Sequence, residues 1–242
     1  MTQQAKAALV TGGSAGIGRA ICCHLLASGY EVVSLDRNPG ITSDPRVRTI
    51  TVDLTDEQAT ATAAQQATAR PVTTVIHNAG SIRPALLSDA TTADLAALSR
   101  LHLSAAMILA QAALPAMQAA RFGRIVLISS RAALGLQTRT AYSATKAGMI
   151  ALARTWALEL GPSGITVNAI APGPIETDMF HEVLPAGDPR VATLADGIPV
   201  RRIGRPDDVA RAVMFLIDPD SGFITGQTLF VCGGTSIGSL AL

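Results

Sequence analysis

Tyr142 and Lys146 stand four residues apart in Tyr142-Ser-Ala-Thr-Lys146, inside a stretch from Thr140 to Leu160 whose pattern is helical. Residues at i and i+4 share a helix face, so a phenol and an ammonium would project side by side. A nearby positive charge favours the phenolate, which turns a tyrosine into a proton donor and acceptor usable near neutral pH. Two hydroxyls, Ser129 and Ser130, end the strand-like run before this helix and offer a hydrogen bond to a carbonyl oxygen held beside the phenol. Alone, Tyr-x-x-x-Lys is a frequent surface pair. A second constellation gives it weight.

That constellation is Thr11-Gly12-Gly-Ser14-Ala-Gly16-Ile17-Gly18, which directly follows a β-branched run and opens a helical one. Glycine is needed where a backbone turns tightly and approaches a pyrophosphate, and the helix behind it offers free N–H groups at its positive dipole end. Asp36 ends the next strand-like run, where a nucleotide fold places a carboxylate to accept the adenosine ribose hydroxyls. A carboxylate there repels a 2′-phosphate, so NAD is expected over NADP. The adjacent Arg37 can accommodate that phosphate and softens the preference, leaving NADP open. Asp53, in Val52-Asp53-Leu54, has two readings: a contact to the adenine edge, or a turn residue leading into a helix.

These residues need elements to hold them. Strands are predicted at 7–11, 31–35, 47–52, 74–77, 124–129, 165–170 and 228–231, and helices at 17–28, 56–69, 92–120 and 140–160. Thr55 is the expected N-cap of the second helix, Pro115 is expected to bend or break the end of the third, and Gly161-Pro162 stops the fourth. Strands alternating with helices predict an α/β fold, a doubly wound seven-stranded parallel sheet of Rossmann type with helices on both faces. The Val/Ile/Leu-rich strands fit burial on both sides. Residues 171–205, punctuated by Pro and Gly, read as a long substrate-binding loop within a single domain covering 1–242.

Composition narrows the classes. Of 242 residues, 48% are hydrophobic, which excludes intrinsic disorder. Nineteen basic against eighteen acidic residues give a net charge of +1, so no nucleic-acid partner is expected. Cys22, Cys23 and Cys232 form no disulfide framework and no Cys-x-x-Cys pair, which points to a reducing, cytoplasmic compartment and to no metal site. The N-terminal residues lack the pattern of a signal peptide. No apolar run reaches the ~18 residues of a spanning helix, so no membrane partner is expected. The vicinal Cys22-Cys23 pair reads as core packing.

Taken together, the chain resembles the short-chain dehydrogenase/reductase family over essentially its whole length. The resemblance is carried by Thr11-Gly-x-x-x-Gly16-x-Gly18, Val52-Asp53-Leu54, Asn78-Ala79-Gly80, Ile128-Ser-Ser130, Tyr142-x-x-x-Lys146, Val167-Asn-Ala-Ile-Ala-Pro172-Gly173 and Gly204-Arg-Pro206. It implies nicotinamide-dependent interconversion of an alcohol and a ketone. Tyr142 would then be the general acid/base, Lys146 would bind the nicotinamide ribose and lower the tyrosine pKa, and Ser130 would orient the substrate oxygen. Asn78, Ala79 and Gly80 would lie along the adenosine ribose. Pro172, Gly173, Ile175 and Thr177 would border the nicotinamide, with Thr177 and the Ile175 backbone on its carboxamide.

Three departures qualify the match. The family's serine-to-tyrosine spacing would select Ser129, whereas the motif selects Ser130. His102 occupies the position of an asparagine that often holds a relay water. It would either take over that role or be a packed histidine with both ring nitrogens satisfied. His77 and Cys232 replace an asparagine and an aspartate and read as tolerated variation. Ala132 and Leu136, with Met179 and Phe180, would line a substrate pocket suited to a hydrophobic or cyclic ketone or secondary alcohol. Arg131, Arg139 and His181 offer an anionic group a partner, or are solvated or interface cations. The resemblance also implies a homo-oligomer, tetramer or dimer, using the two long helices and the apolar tail Ile237 to Leu242. Its functional alternatives are an NADPH-dependent 3-oxoacyl-carrier-protein reductase and, from another class, a non-catalytic NAD-sensing protein.

Overall fold

The computed structural model describes residues 6–40, 44–185 and 187–237. Seven strands are set by the β-branched runs: β1 Ala7–Thr11, β2 Glu31–Asp36, β3 Val47–Thr51, β4 Thr74–His77, β5 Gly123–Ile128, β6 Ile165–Pro172 and β7 Thr228–Val231. All pair in parallel, in the order β3-β2-β1-β4-β5-β6-β7. The order reverses between β1 and β4, so the carboxyl ends of those two strands flank a crevice, the place where such sheets bind ligands.

The helices are α1 Gly16–Ala27, α2 Glu57–Ala67, α3 Thr92–Ser99, α4 Ala105–Ala120, α5 Thr140–Leu160, α6 Asp178–His181, α7 Arg190–Gly197 and α8 Pro206–Ile217. Two cores cover the two faces of the sheet. Leu109, Ala113 and Met117 of α4 and Met149 and Ala153 of α5 pack with Leu9, Ile125 and Val167 on one face. Ile21 and Leu25 of α1 and Val209, Val213 and Leu216 of α8 pack with Val10, Ile76 and Ile170 on the other. β4, β5 and β6 are wholly buried, whereas the edge strands β3 and β7 are partly exposed, so burial on both sides holds for the central strands only.

Several boundaries differ from the sequence reading. Asp56, not Thr55, caps α2, its Oδ1 accepting the Ala59 N–H at 2.9 Å. Thr55 is turned back onto Asp53. Pro115 does not break its helix: α4 runs on to Ala120 and stops at Arg121, whose φ is +47°. Pro115 and Gln111 lie on the exposed side, where water can satisfy the carbonyl that the missing N–H leaves free. The interruption comes earlier, as a π-helical turn from Arg100 to Ser104. The helical stretch 92–120 is long and apolar enough to cross a membrane by length and composition. It carries that apolar character against the sheet, with Leu98, Ala106, Leu109, Ala113 and Met117 buried.

Residues 171–205 are more ordered than a loop, since β6 extends to Pro172 and α6 and α7 lie within. The helix α8 has clear signals that a strand-led reading passes over. Pro206 opens it, Asp207 and Asp208 sit in its first turn, and Val209, Ala210, Val213, Leu216 and Ile217 form its buried stripe. The apolar tail falls, after Ile237, outside the described residues.

Candidate active site

The glycine loop crosses the mouth of the crevice. Gly12 at φ +68° and Gly16 at φ +50° occupy the left-handed region that glycine alone enters freely. A Cβ on Gly18 would collide with the Gly12 carbonyl, so α1 can close onto the loop only with glycine there. No side chain caps α1 and no acid lies in its first turn, so its leading N–H groups remain available to an anion. Ser14 N–H donates to Asp36 Oδ2 at 2.9 Å and Asn38 N–H to Oδ1 at 3.0 Å, which fixes the carboxylate beside the loop. This cradle, with a free helix terminus at one side and a fixed carboxylate at the other, fits a dinucleotide. Ile17 is half-buried in the first turn of α1.

Arg37 is exposed, and its charge helps hold the Asp53 carboxyl below its usual range, after the two hydrogen bonds from Thr55. Asp53 Oδ1 thus anchors the turn ahead of α2, and the neighbouring Leu54 is buried core. Asn78 Nδ2 donates to the Thr11 and Gly12 carbonyls at 3.1 and 3.2 Å, tying β4 to the loop. The N–H groups of Asn78 and Ala79 both donate to Thr11 Oγ1 at 2.9 Å. Across the crevice, Thr177 lies over Gly16, close enough that a Cβ on Gly16 would be 3.2 Å from its Cγ2. Pro172 ends β6, Gly173 packs against Cys232, and Ile175 is buried and paired with Gly204.

At the opposite side of the crevice, the Ser130 side chain faces the Tyr142 phenol and lowers its proton affinity, and Ser130 Oγ accepts the Ala132 N–H at 3.1 Å. Ser129 is buried and donates to the Lys146 carbonyl at 2.7 Å, so its hydroxyl is committed to holding β5 against α5. Of the two serines, only Ser130 meets the phenol. Lys146 Nζ donates to the Ile128 carbonyl at 2.7 Å and lies 5.6 Å from the Tyr142 ring centroid. Burial pulls Lys146 down to about 7.

Burial pushes Tyr142 up, opposed by the Ser130 hydrogen bond and by the charge of Arg139. Arg139 thus adds a cation to the phenol's surroundings beside Lys146, whose ammonium donates to a β5 carbonyl while lying over the Tyr142 ring. Gly80 sits between two of these groups, and a Cβ there would meet His102 Nε2 at 3.2 Å and Lys146 Nζ at 3.4 Å.

His102 is fully buried in the π-helical turn, edge-on to Tyr142 with centroids 5.7 Å apart. The Ser81 N–H donates to its Nε2 at 3.3 Å, so the ring proton sits on Nδ1 and donates to Thr145 Oγ1 at 2.8 Å. Thr145 in turn donates to the Ala141 or Tyr142 carbonyl. Both ring nitrogens are therefore engaged, and burial holds the imidazole neutral far below its ordinary range. Of the two readings open for His102, the geometry matches the packed, satisfied histidine.

His77, read from sequence as tolerated variation, has an equally definite place. Thr11 Oγ1 accepts two N–H groups, so its own proton goes to His77 Nδ1 at 3.0 Å. His77 Nε2–H then donates to the Leu101 carbonyl at 3.1 Å, an acceptor in the π-helical turn. Thr11, Ser81, Thr145 and His77 join the site through contacts far apart in sequence, which no local motif reveals. Around the mouth, Leu136 is 45% exposed, Met179 and Phe180 are half-buried, and Ala132 at 3% is core rather than open lining. The described residues contain no cluster of metal-ligating side chains.

A glycine cradle at a strand-order switch, facing a Ser-Tyr-Lys trio, defines a nicotinamide-dinucleotide oxidoreductase of Rossmann type. Comparison with known proteins makes the class specific. A family model described as enoyl-(acyl carrier protein) reductase matches residues 12–236. The chain is 37% identical over 246 residues to (2S)-[(R)-hydroxy(phenyl)methyl]succinyl-CoA dehydrogenase subunit BbsD of Thauera aromatica, covering 97% of this chain and 98% of that protein. It is 35% identical over 237 residues to the 3-oxoacyl-(acyl-carrier-protein) reductase MabA of Mycobacterium tuberculosis (strain ATCC 25618 / H37Rv), covering 96% and 94%. The solved structure of ElxO with NADP bound superposes with a TM-score of 0.87 at 28% identity, covering 96% of this chain and 98% of that one. The protein belongs to the short-chain dehydrogenase/reductase family, and its cofactor is accordingly NAD or NADP.

Proposed function

We propose that the protein interconverts a secondary alcohol and a ketone with NAD as the preferred cofactor, using Ser130, Tyr142 and Lys146. The observation that carries this reading is the convergence of the Ser130 side chain and the Lys146 ammonium on the Tyr142 phenol, Lys146 Nζ lying 5.6 Å from its ring centroid. A bound nicotinamide supplies or accepts the hydride. Tyr142, held protonated by burial, donates its hydroxyl proton to the substrate oxygen during reduction and takes one back during oxidation. Ser130 offers the second hydrogen bond that keeps the same oxygen in place. Lys146 holds the nicotinamide ribose and, once charged, stabilises the phenolate.

On the cofactor side, Gly12, Ser14, Gly16, Ile17 and Gly18 take the pyrophosphate, and Asp36 takes the adenosine ribose hydroxyls. Asn78, Ala79 and Gly80 lie along the ribose, while Pro172, Gly173, Ile175 and Thr177 border the nicotinamide. Leu136, Met179 and Phe180, from the 130–142 and 171–205 segments of the single domain, face the substrate. The three cysteines are free, which suits a reducing cytoplasmic compartment.

Asp36 supports NAD because its fixed carboxylate would face a 2′-phosphate. A second reading, NADPH-dependent reduction of a 3-oxoacyl thioester, is favoured by the name of the mycobacterial relative. Fluorescence titration with NADH and NADPH separates the two. Tighter NADH binding, with the preference narrowed or reversed by Asp36→Ser, supports the NAD reading; tighter NADPH binding to the unaltered protein overturns it.

A further inference from the structure

Arg139 sits one residue before α5 and one helical turn before Tyr142, half-buried at the mouth of the site. Its Nη1 donates to the Thr138 carbonyl at 3.2 Å and to the Thr138 hydroxyl at 2.6 Å. The Thr138 carbonyl is itself held by the Ala85 N–H at 3.0 Å, in a short parallel bridge between Ala85 and Arg139. Thr138 has φ +65°, a left-handed state that a β-branched residue keeps only when its surroundings impose it. The guanidinium is therefore moored by one corner. Its other edge, Nε–H and Nη2–H2, has no hydrogen-bond partner, and no carboxylate lies within salt-bridge distance, among the described residues. That edge is the one that grips a carboxylate with two parallel hydrogen bonds. The free edge is therefore available to an anionic group of the substrate.

We propose that Arg139 is a specificity residue that binds a carboxylate on the substrate, and that the preferred substrates are short 3-oxo or 3-hydroxy acids. The inference rests on the reading of Tyr142 as the group that meets the substrate oxygen. Arg139 caps α5 three residues before Tyr142, so the guanidinium and the phenol belong to the same end of that helix, as a substrate with its carbonyl and carboxylate close together requires. The charge of Arg139 already reaches the Tyr142 phenol and lowers its proton affinity. Tyr142 would thus be tuned by the same cation that seats the acid. Leu136, whose carbonyl accepts the Arg139 N–H at 3.1 Å, would take the apolar remainder of the substrate.

The test compares 3-oxobutanoate with its methyl ester and its N-acetylcysteamine thioester as substrates for the unaltered protein, Arg139→Gln and Arg139→Lys. For the unaltered protein, kcat/KM should favour the acid by about 10- to 100-fold. In Arg139→Gln that ratio should fall to about one through a raised KM for the acid, and Arg139→Lys should restore only part of it. Loss of Arg139 should also move the pH profile of alcohol oxidation to higher pH with every substrate, which a merely structural residue would not do. Equal use of acid and ester by the unaltered protein, or an equal loss of both in Arg139→Gln, overturns the proposal. Calorimetric titration with butanoate separates the carboxylate site from the redox reading. Binding lost in Arg139→Gln, with no turnover of any substrate, would retain the carboxylate site and sink the oxidoreductase assignment. Binding unchanged in Arg139→Gln would sink the carboxylate site alone.

Discussion

Replacing His77 by leucine probes the buried link between the glycine loop and the π-helical turn. Leucine has similar bulk, but it can neither accept the Thr11 hydroxyl proton nor donate to the Leu101 carbonyl. Each buried group left unsatisfied costs about 1–3 kcal/mol, so the change should remove about 2–6 kcal/mol. Domains have only about 5–15 kcal/mol to lose. A pH arm isolates the imidazole. Burial, then the charge of Lys146, lowers the folded-state pKa of His77 from 6.5 to about 3. The unfolded chain therefore takes up a proton near 6.5 that the folded chain refuses, and the stabilisation, complete above that pH, is lost progressively as pH falls toward 3.

Between pH 7 and 5.5 this amounts to about 1.2 kcal/mol for one such histidine. His102, lowered in the same direction for the same first reason, adds a similar share, for about 2.5 kcal/mol in the unaltered protein. Urea unfolding at both pH values measures all of this. His77→Leu should be markedly less stable at pH 7 and should lose only about half as much on acidification. His77→Asn, which can still donate and accept, should recover part of the pH 7 loss. A leucine variant within about 0.5 kcal/mol of the unaltered protein, with the same acid loss, would refute the assigned hydrogen bonds and tautomer.

Other consequences are as direct. Gly18→Ala places a methyl against the Gly12 carbonyl and Asn78 Nδ2, so it should weaken NADH binding by more than about tenfold and lower the melting temperature; unchanged titration curves would contradict the packing of α1 on the loop. Alcohol oxidation needs the Tyr142 phenolate, whose formation burial opposes, so its kcat/KM should climb by about tenfold per pH unit from 7 to 9 while ketone reduction stays nearly level. A bell-shaped oxidation profile centred near pH 7 would show that another group holds the proton. Ser129→Ala should lower stability by about 1–3 kcal/mol by freeing the Lys146 carbonyl, yet leave Tyr142 with its Ser130 partner. A large selective loss of turnover in Ser129→Ala at full stability would reverse the choice between the serines.

Much of the frame was visible in the amino-acid order because its signals are local. The β-branched runs and the Gly12-Gly16-Gly18 spacing each lie within a few residues, and so does the face shared by Tyr142 and Lys146. Asp36 could be found by counting from the loop. What escaped depends on distance in sequence. The choice between Ser129 and Ser130 rests on which hydroxyl the Lys146 carbonyl captures across 17 residues. The π-helical turn at Arg100–Ser104 is stabilised by His77, 24 residues before Leu101, and the helical period alone continued straight through it. Pro115 misled because its cost depends on whether the freed carbonyl faces water, which composition does not tell. Spacing alone places Lys146 beside Tyr142, whereas the hydrogen bond of its ammonium to Ile128 is a tertiary fact.

In the proposed reaction, Tyr142, aligned by Ser130, exchanges the proton while a nicotinamide exchanges the hydride. Steady-state turnover of the unaltered protein and Tyr142→Phe, with NADH and NADPH over a panel of ketones, 3-oxo acids and acyl thioesters, tests it most directly. Turnover should be clear in the unaltered protein and fall by about 100-fold or more in Tyr142→Phe, while NADH binding stays within about threefold of its original strength. Near-normal turnover by Tyr142→Phe, or saturable NADH binding with no turnover of any substrate by the unaltered protein, would contradict it.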